Sequence, residues 1–283
     1  MPALRSALPP LLTRPLADLD AWTAHLAAAE IPVLDETAQA LEAMRANEDS
    51  VDANSLGEMI SADPLMTLKV LAHAATRRSK RMVTDTETVT AALVMMGITP
   101  FFRDFGAQPT VEQCLAGRPL ALDGLREALR SAHRGATFAL GFAVHRRDHD
   151  AAVIHAAALL HDFAAMLVWC HAPDLALQVA GAQRADPALR SIVVQHAVLN
   201  VDLADLQQAL MKTWQLPELL TRITDDRHAE HPTVKTVALA VRLARHSALG
   251  WDNAALPDDI GEIAALLNLS VTATLELVHE IGA

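Results

Sequence analysis

Residues 151–171 read AAVIHAAALLHDFAAMLVWCH. This stretch is apolar almost all round, so as a helix it has to be surrounded by other helices. Asp150 stands where a cap is wanted. The length would suit a membrane span, but His155, His161 and Asp162 interrupt it. A central Asp costs about 2.5–3.5 kcal/mol on insertion, and no anchoring pattern flanks the segment. The stretch is predicted to be one buried central helix, with an ionisable pair at its middle.

Working outward, helix follows helix. Upstream, 122–147 forms a long helix. Downstream come 173–184, 186–199, 202–213, 217–225 and 232–249, then two more opened by Pro257 and Ser270. In the first half, Asp18 or Asp20 caps a helix to about Glu30, and Ile31-Pro32-Val33-Leu34 is an extended linker. Helices over 35–47, from Asp52, from Pro64, and from a Thr84-Asp85-Thr86 cap to Gly97 follow. No segment alternates with period two. Hydrophobic residues make up 52%, aromatics 4%, and Tyr is absent. That composition disfavours sandwiches and barrels. The fold class is all-α, an N-terminal helical bundle packed against a second bundle. Four parts are expected: a flexible Pro-rich arm over 1–15, a helical subdomain over 16–108, a second over 120–250, and a helical extension over 251–283. The break between the halves carries Gly106, Pro109, Gly117 and Pro119.

A net charge of −11 removes a whole-chain footprint for nucleic acid. The local run Arg77, Arg78, Lys80 and Arg81 reads as a solvated loop. Cys114 and Cys170 are far apart in sequence and outside any CxxC, which fits a reducing compartment. The N-terminus is a poor signal peptide. A cytoplasmic location away from the membrane is expected.

His161-Asp162 is the most informative pair. A buried charge needs a partner. A metal ion would supply one; a structural pairing, with Asp162 capping a neighbouring helix and His161 on a carbonyl, would supply another. His133 lies mid-helix among Arg126, Arg130 and Arg134, which would oppose a metal and favour a phosphate. Asp225, Asp226, His228 and His231 cluster at a helix end, either as a solvated loop or as part of the His161 cavity. The sequence holds no Gly-rich phosphate loop, GxSxG elbow or HExxH.

Taken in order, six strings resemble the HDOD family, bacterial relatives of the HD-domain metal-dependent phosphohydrolases. They are Ile31 to Leu34, Asp63-Pro64 to Leu71, Glu87 to Gly97, Ala132-His133 with Ala136, Ala158 to Phe163, and Trp214-Gln215-Leu216-Pro217. The resemblance implies an all-α fold with an HD-like second half. It also implies a metal site of His133, His161, Asp162 and a later Asp. That last Asp is expected near 236–246, where the chain reads TVALAVRLARH, with Arg242 about where the acid belongs. Ala164 replaces a Gly, and Asp225-Asp226 stand where relatives carry a His pair. Losing a carboxylate and gaining a guanidinium disfavours a cation, and without a metal there is no activated water.

The resemblance therefore implies a signalling or regulatory protein without catalysis or cofactor. It would act on a protein partner, or on a nucleotide or other anion bound in a partly basic vestigial cavity built from His133, His161, Asp162, Asp225, Asp226, His228 and Arg242. The alternative is a phosphohydrolase of nucleotides or cyclic nucleotides. It would use Mn, Fe or Mg on His133, His161 and Asp162, with Asp225, Asp226 or His228 as substitute ligand.

Overall fold

Aspartates begin many of the helices. Asp18 accepts from the Ala21 N–H at 2.9 Å, Asp52 from Asn54 and Ser55, Asp63 from Leu65 and Met66, and Asp202 from Ala204. Each satisfies N–H groups that the first helical turn leaves without a partner. The computed structural model describes residues 10–77, 87–186 and 189–282. Among them the helices are α1 (Leu19–Ala28), α2 (Asp35–Arg45), α3 (Ala53–Ser61), α4 (Pro64–Thr76), α5 (Val89–Met96), α6 (Ile98–Asp104), α7 (Val111–Cys114), α8 (Pro119–Arg146), α9 (Ala151–Leu159), α10 (Phe163–His171), α11 (Pro173–Ala185), α12 (Ser191–Leu199), α13 (Leu203–Thr213), α14 (Glu218–Ile223), α15 (Pro232–His246), α16 (Leu256–Leu267) and α17 (Val271–Gly282). The all-α expectation holds. Extended pairing among the described residues is a single parallel bridge, Val33 to Thr110.

The 28-residue α8 is the spine, with α9, α10, α15 and α17 packed along it. Leu125, Leu129, Ala132, Ala136, Ala139 and Ala143 supply its buried stripe. One apolar core runs through both halves and includes Trp22, Phe101, Phe138, Phe142 and Phe163. The 151–171 stretch lies in its middle with two thirds of its apolar window buried, so its hydrophobicity serves packing inside the protein.

Two expectations need correction. The central helix is not continuous: α9 ends at Leu159 and α10 starts at Phe163. On a straight helix neighbouring side chains diverge by about 100°. The turn at 160–162 brings the His161 ring to 3.1 Å from the Asp162 carboxylate, and turns both toward α15 and the 225–228 turn. The cap of α5 is Thr88, whose hydroxyl accepts from the Ala91 N–H. The Thr84-Asp85-Thr86 cap lies outside the described residues, as do Arg78, Lys80 and Arg81 of the basic run. Gly97 ends α5 as expected, at φ +84, a conformation that glycine tolerates best.

The first helix sits against the second half. The buried indole of Trp22 on α1 donates to the Leu199 carbonyl at 2.8 Å, as an interior Trp requires. Leu12 donates to the His171 carbonyl and Asn200 to the Leu16 carbonyl. The Ile31–Leu34 linker is tied on both sides: Val33 pairs with 109–111, and the Leu34 N–H meets Asp63 at 2.9 Å.

Candidate functional site

The turn between α9 and α10 carries an ionic network. His161 Nδ1 lies 3.1 Å from Asp162 Oδ1, and Nε2 lies 3.0 Å from Asp226 Oδ1. Asp162 Oδ2 stands 3.5 Å from Arg245 on α15. With a proton on each nitrogen, the imidazolium donates to one carboxylate on each side. Burial would push the His161 ring down, but the charge and hydrogen bond of Asp162, joined by Asp226, override it and lift the ring to about 10. Burial pushes the Asp162 carboxyl up, and the His161 cation, helped by Arg245, more than reverses this and holds it well below the usual carboxylate range.

The sign of the linkage follows. A histidine raised in the folded state contributes stability that is fully present below its unfolded pKa of about 6.5 and is lost as pH rises through its folded value. Asp162, depressed in the folded state, contributes stability present above its unfolded pKa that is lost in acid. In an NMR titration the His161 ring is expected to stay charged from pH 6 to beyond pH 8, about where an exposed histidine has already lost its proton. A His161 midpoint at or below 6.5 would contradict this network.

Beside the network opens a cavity of about 540 Å³ lined by α10, α11, α12 and α13, with the 224–227 turn and Arg245 at its polar end. Asp225 and Asp226 reach it. Asp225 also starts the 226–228 turn and pairs with Arg227 at 2.8 Å. Trp169 lines the cavity and rests on Gly124 of α8, where any Cβ would collide with the indole.

The other expected site residues lie elsewhere. His133 faces the α3–α4 turn, bonded to the Ala62 backbone, with Asp63 and Glu36 as its neighbouring charges; burial pushes its ring down. His228 is exposed and pairs weakly with Asp225 at 3.9 Å. Arg242 points away from the cavity, into α16, where it meets Asp259 and Glu262 at 2.6 Å each. The guanidinium on Asp162 is Arg245, one turn further along the same helix. The two acids of α16, a helix outside the resemblance, capture Arg242 and leave Arg245 on the cavity side. The expectation of a basic cavity rested on Arg242; the lining instead carries five aspartates.

Sequence reading also missed Gln207 and Gln208. Both are buried and both line the cavity. Their signal was present as two adjacent amides on the apolar side of LADLQQALMKT.

The donor set does not fit the metal that the resemblance implies. His133 does not meet the His161-Asp162 pair, and a histidine ligand must be neutral with a free lone pair. Both nitrogens of His161 are held by carboxylates. Among the described residues, no three His, Cys, Asp or Glu side chains are grouped to hold a metal ion.

The fold is a helical bundle with a His-Asp pair at the break of its central helix. The chain belongs to the HDOD family: residues 31–230 match the HDOD domain. In fold it is similar to the MmoQ response regulator of Methylococcus capsulatus, at TM-score 0.63 and 16% identity over 89% of this chain and 99% of the other. It is equally similar to a virulence factor of Campylobacter jejuni, at TM-score 0.63 and 18% identity over 92% and 97%. No curated protein matches the chain by sequence.

Proposed function

We propose that this HDOD protein is regulatory and acts by binding, without catalysis and without a resident metal. The observation that carries the reading is the state of His161. Each ring nitrogen faces a carboxylate, and His133, the expected third ligand, is committed to the α3–α4 turn. Such a turn holds the ends of α9, α10 and α15 together and shapes the wall of the cavity. It offers neither a Lewis acid nor an activated water. The chain would transmit a signal through a partner bound at its surface or in the cavity. One structural relative, MmoQ, is a response regulator, which agrees with a signalling role.

A second reading has one observation behind it. Asp226 reaches His161, so a phosphohydrolase metal on His161, Asp162 and Asp226 would need these three side chains to regroup, since they are not grouped to hold an ion here. It requires His161 to shed its proton and release a carboxylate. One experiment separates the two. The chain, purified without chelator, is measured for Mn, Fe, Zn and Mg, then assayed on a panel of nucleotides and cyclic nucleotides with added Mn. The regulatory reading expects substoichiometric metal and no turnover above the His161→Ala and Asp162→Ala variants. Stoichiometric metal, or hydrolysis abolished by both substitutions, would overturn it.

A further inference from the structure

The seam between α1 and the second half has a buried histidine at its centre. His171 closes α10 and is 6% exposed. Its carbonyl accepts from the Leu12 N–H at 2.8 Å, so the chain entering α1 is tied to the same residue. Its ring meets the His25 ring of α1 edge-on, with centroids 6.4 Å apart. Its Nε2 is buried and has no hydrogen-bond partner among the described residues. A buried polar atom without a partner is costly, and a buried cation without one costs more. The docked seam therefore tolerates the neutral ring and disfavours the charged one.

The surrounding charges do not relieve this. His25 of α1 and Glu30, just beyond its end, are the groups that bear on the ring. Glu30 is held by Lys69 of α4. On α10 the neighbour is Cys170, a thiol that burial keeps neutral. On α11, Asp174 pairs with Arg118. At α13, Asp202 caps its own helix, Asp205 pairs with Arg227, and Lys212 is exposed. Burial, joined by the His25 ring, pushes the His171 ring down to about 4, and Glu30 pulls only partly against them. Further ties of this seam run from Trp22 to the Leu199 carbonyl and from Asn200 to the Leu16 carbonyl. Leu199 also lines the cavity, so α1 braces the α12–α13 corner of its wall. The strand of contacts lies ahead of the matched domain, since α1 ends before residue 31.

We infer that α1 is an acid-released strap: when His171 takes up a proton, residues 10–28 leave α10 and α13, and the 199–200 corner of the cavity wall is freed. The device goes beyond the regulatory reading and does not depend on it. Docking lowers the affinity of the His171 ring for a proton, so the undocked ring, at about 6.5 in water, binds one first. Docking is at full strength above that value and weakens as pH falls toward 4. Between pH 7 and pH 5 the equilibrium should move about twentyfold toward release.

The test is hydrogen–deuterium exchange of the full chain at pH 7 and pH 5, corrected for the intrinsic pH dependence of amide exchange. Protection of the α1 amides is expected to fall about twentyfold, with α8 unchanged. His171→Gln and His171→Leu remove the titrating ring and should lose that dependence. The native chain supplies a second readout should either variant fail to fold. In an NMR titration the Trp22 indole N–H signal and the His171 ring should change together, with one midpoint between about 4 and 6.5. Protection of α1 that does not depend on pH, a fall of equal size in the variants, or an equal loss across α8 would overturn the inference. So would a His171 ring that titrates while Trp22 stays bonded to Leu199. Metal content and nucleotide turnover bear on the regulatory reading alone, so the failure of either leaves the other in place.

Discussion

Arg242→Ala is expected to cost about 2 kcal/mol of folding stability, because it takes the guanidinium, itself about one-third exposed, from a buried carboxylate. The partner is Asp259, 2% exposed on α16. Its carboxylate meets Arg242 Nε at 2.6 Å and His246 Nδ1 at 2.6 Å. Taking Arg242 away leaves the His246 ring, at 2.6 Å through Nδ1, as its remaining side-chain partner. Arg245→Ala is the matched control. Its guanidinium is mostly exposed and 3.5 Å from a half-exposed Asp162, so its loss should cost under about 1 kcal/mol. Urea unfolding of the two variants at pH 7 distinguishes them. If Arg242→Ala were the milder of the two, the assignment of Arg242 to the α15–α16 seam would fail.

Asp63→Ala is expected to be comparably damaging, about 3 kcal/mol, since a lost cap costs about 1 kcal/mol and each buried N–H left unpaired a further 1–3, partly recovered by relaxation. Asp63 is fully buried. One oxygen caps α4 through Leu65 and Met66, and the other holds the Leu34 N–H of the linker. Burial pushes its carboxyl up, and these backbone donors pull against that. One side chain thus fixes the start of α4 and the path of 31–34, and it sits beside His133. Asp63→Asn keeps an acceptor for α4 but turns an NH₂ toward the Leu34 N–H, so it should fall between native and Ala. Thermal and urea unfolding of the three proteins gives the order. An Ala variant within about 0.5 kcal/mol of native, the usual spread of surface changes, would show that the carboxylate is not what ties the linker to α4.

Both residues stood in strings that the sequence made readable, but neither was read for its role. Asp63-Pro64 announces a capped helix with proline in its first turn. Such signals are local. They act between residues two to four apart, and for that reason the positions of most helices, including the 28 residues of α8 and the start of α17 at Ser270, could be anticipated. The His161-Asp162 pair was legible for the same reason: two ionisable groups in an apolar run are an anomaly that needs no partner to be noticed.

What the sequence by itself determined is the all-helical class, the central position of 151–171, the caps at Asp18, Asp52 and Ser270, and the membership that the His-Asp string and its companions signal. What only the tertiary structure decided is which charges meet. His161 finds Asp226, 65 residues away, and Asp162 finds Arg245, 83 residues away. His133 goes to the α3–α4 turn, and Arg242 goes to two acids on a helix beyond the HDOD match. The physical reason is a difference in range. Caps and helical stripes are set by spacing along the chain. An ion pair is set by the rotation and seating of whole helices, where one turn of α15 separates the arginine that holds α16 from the arginine that lines the cavity.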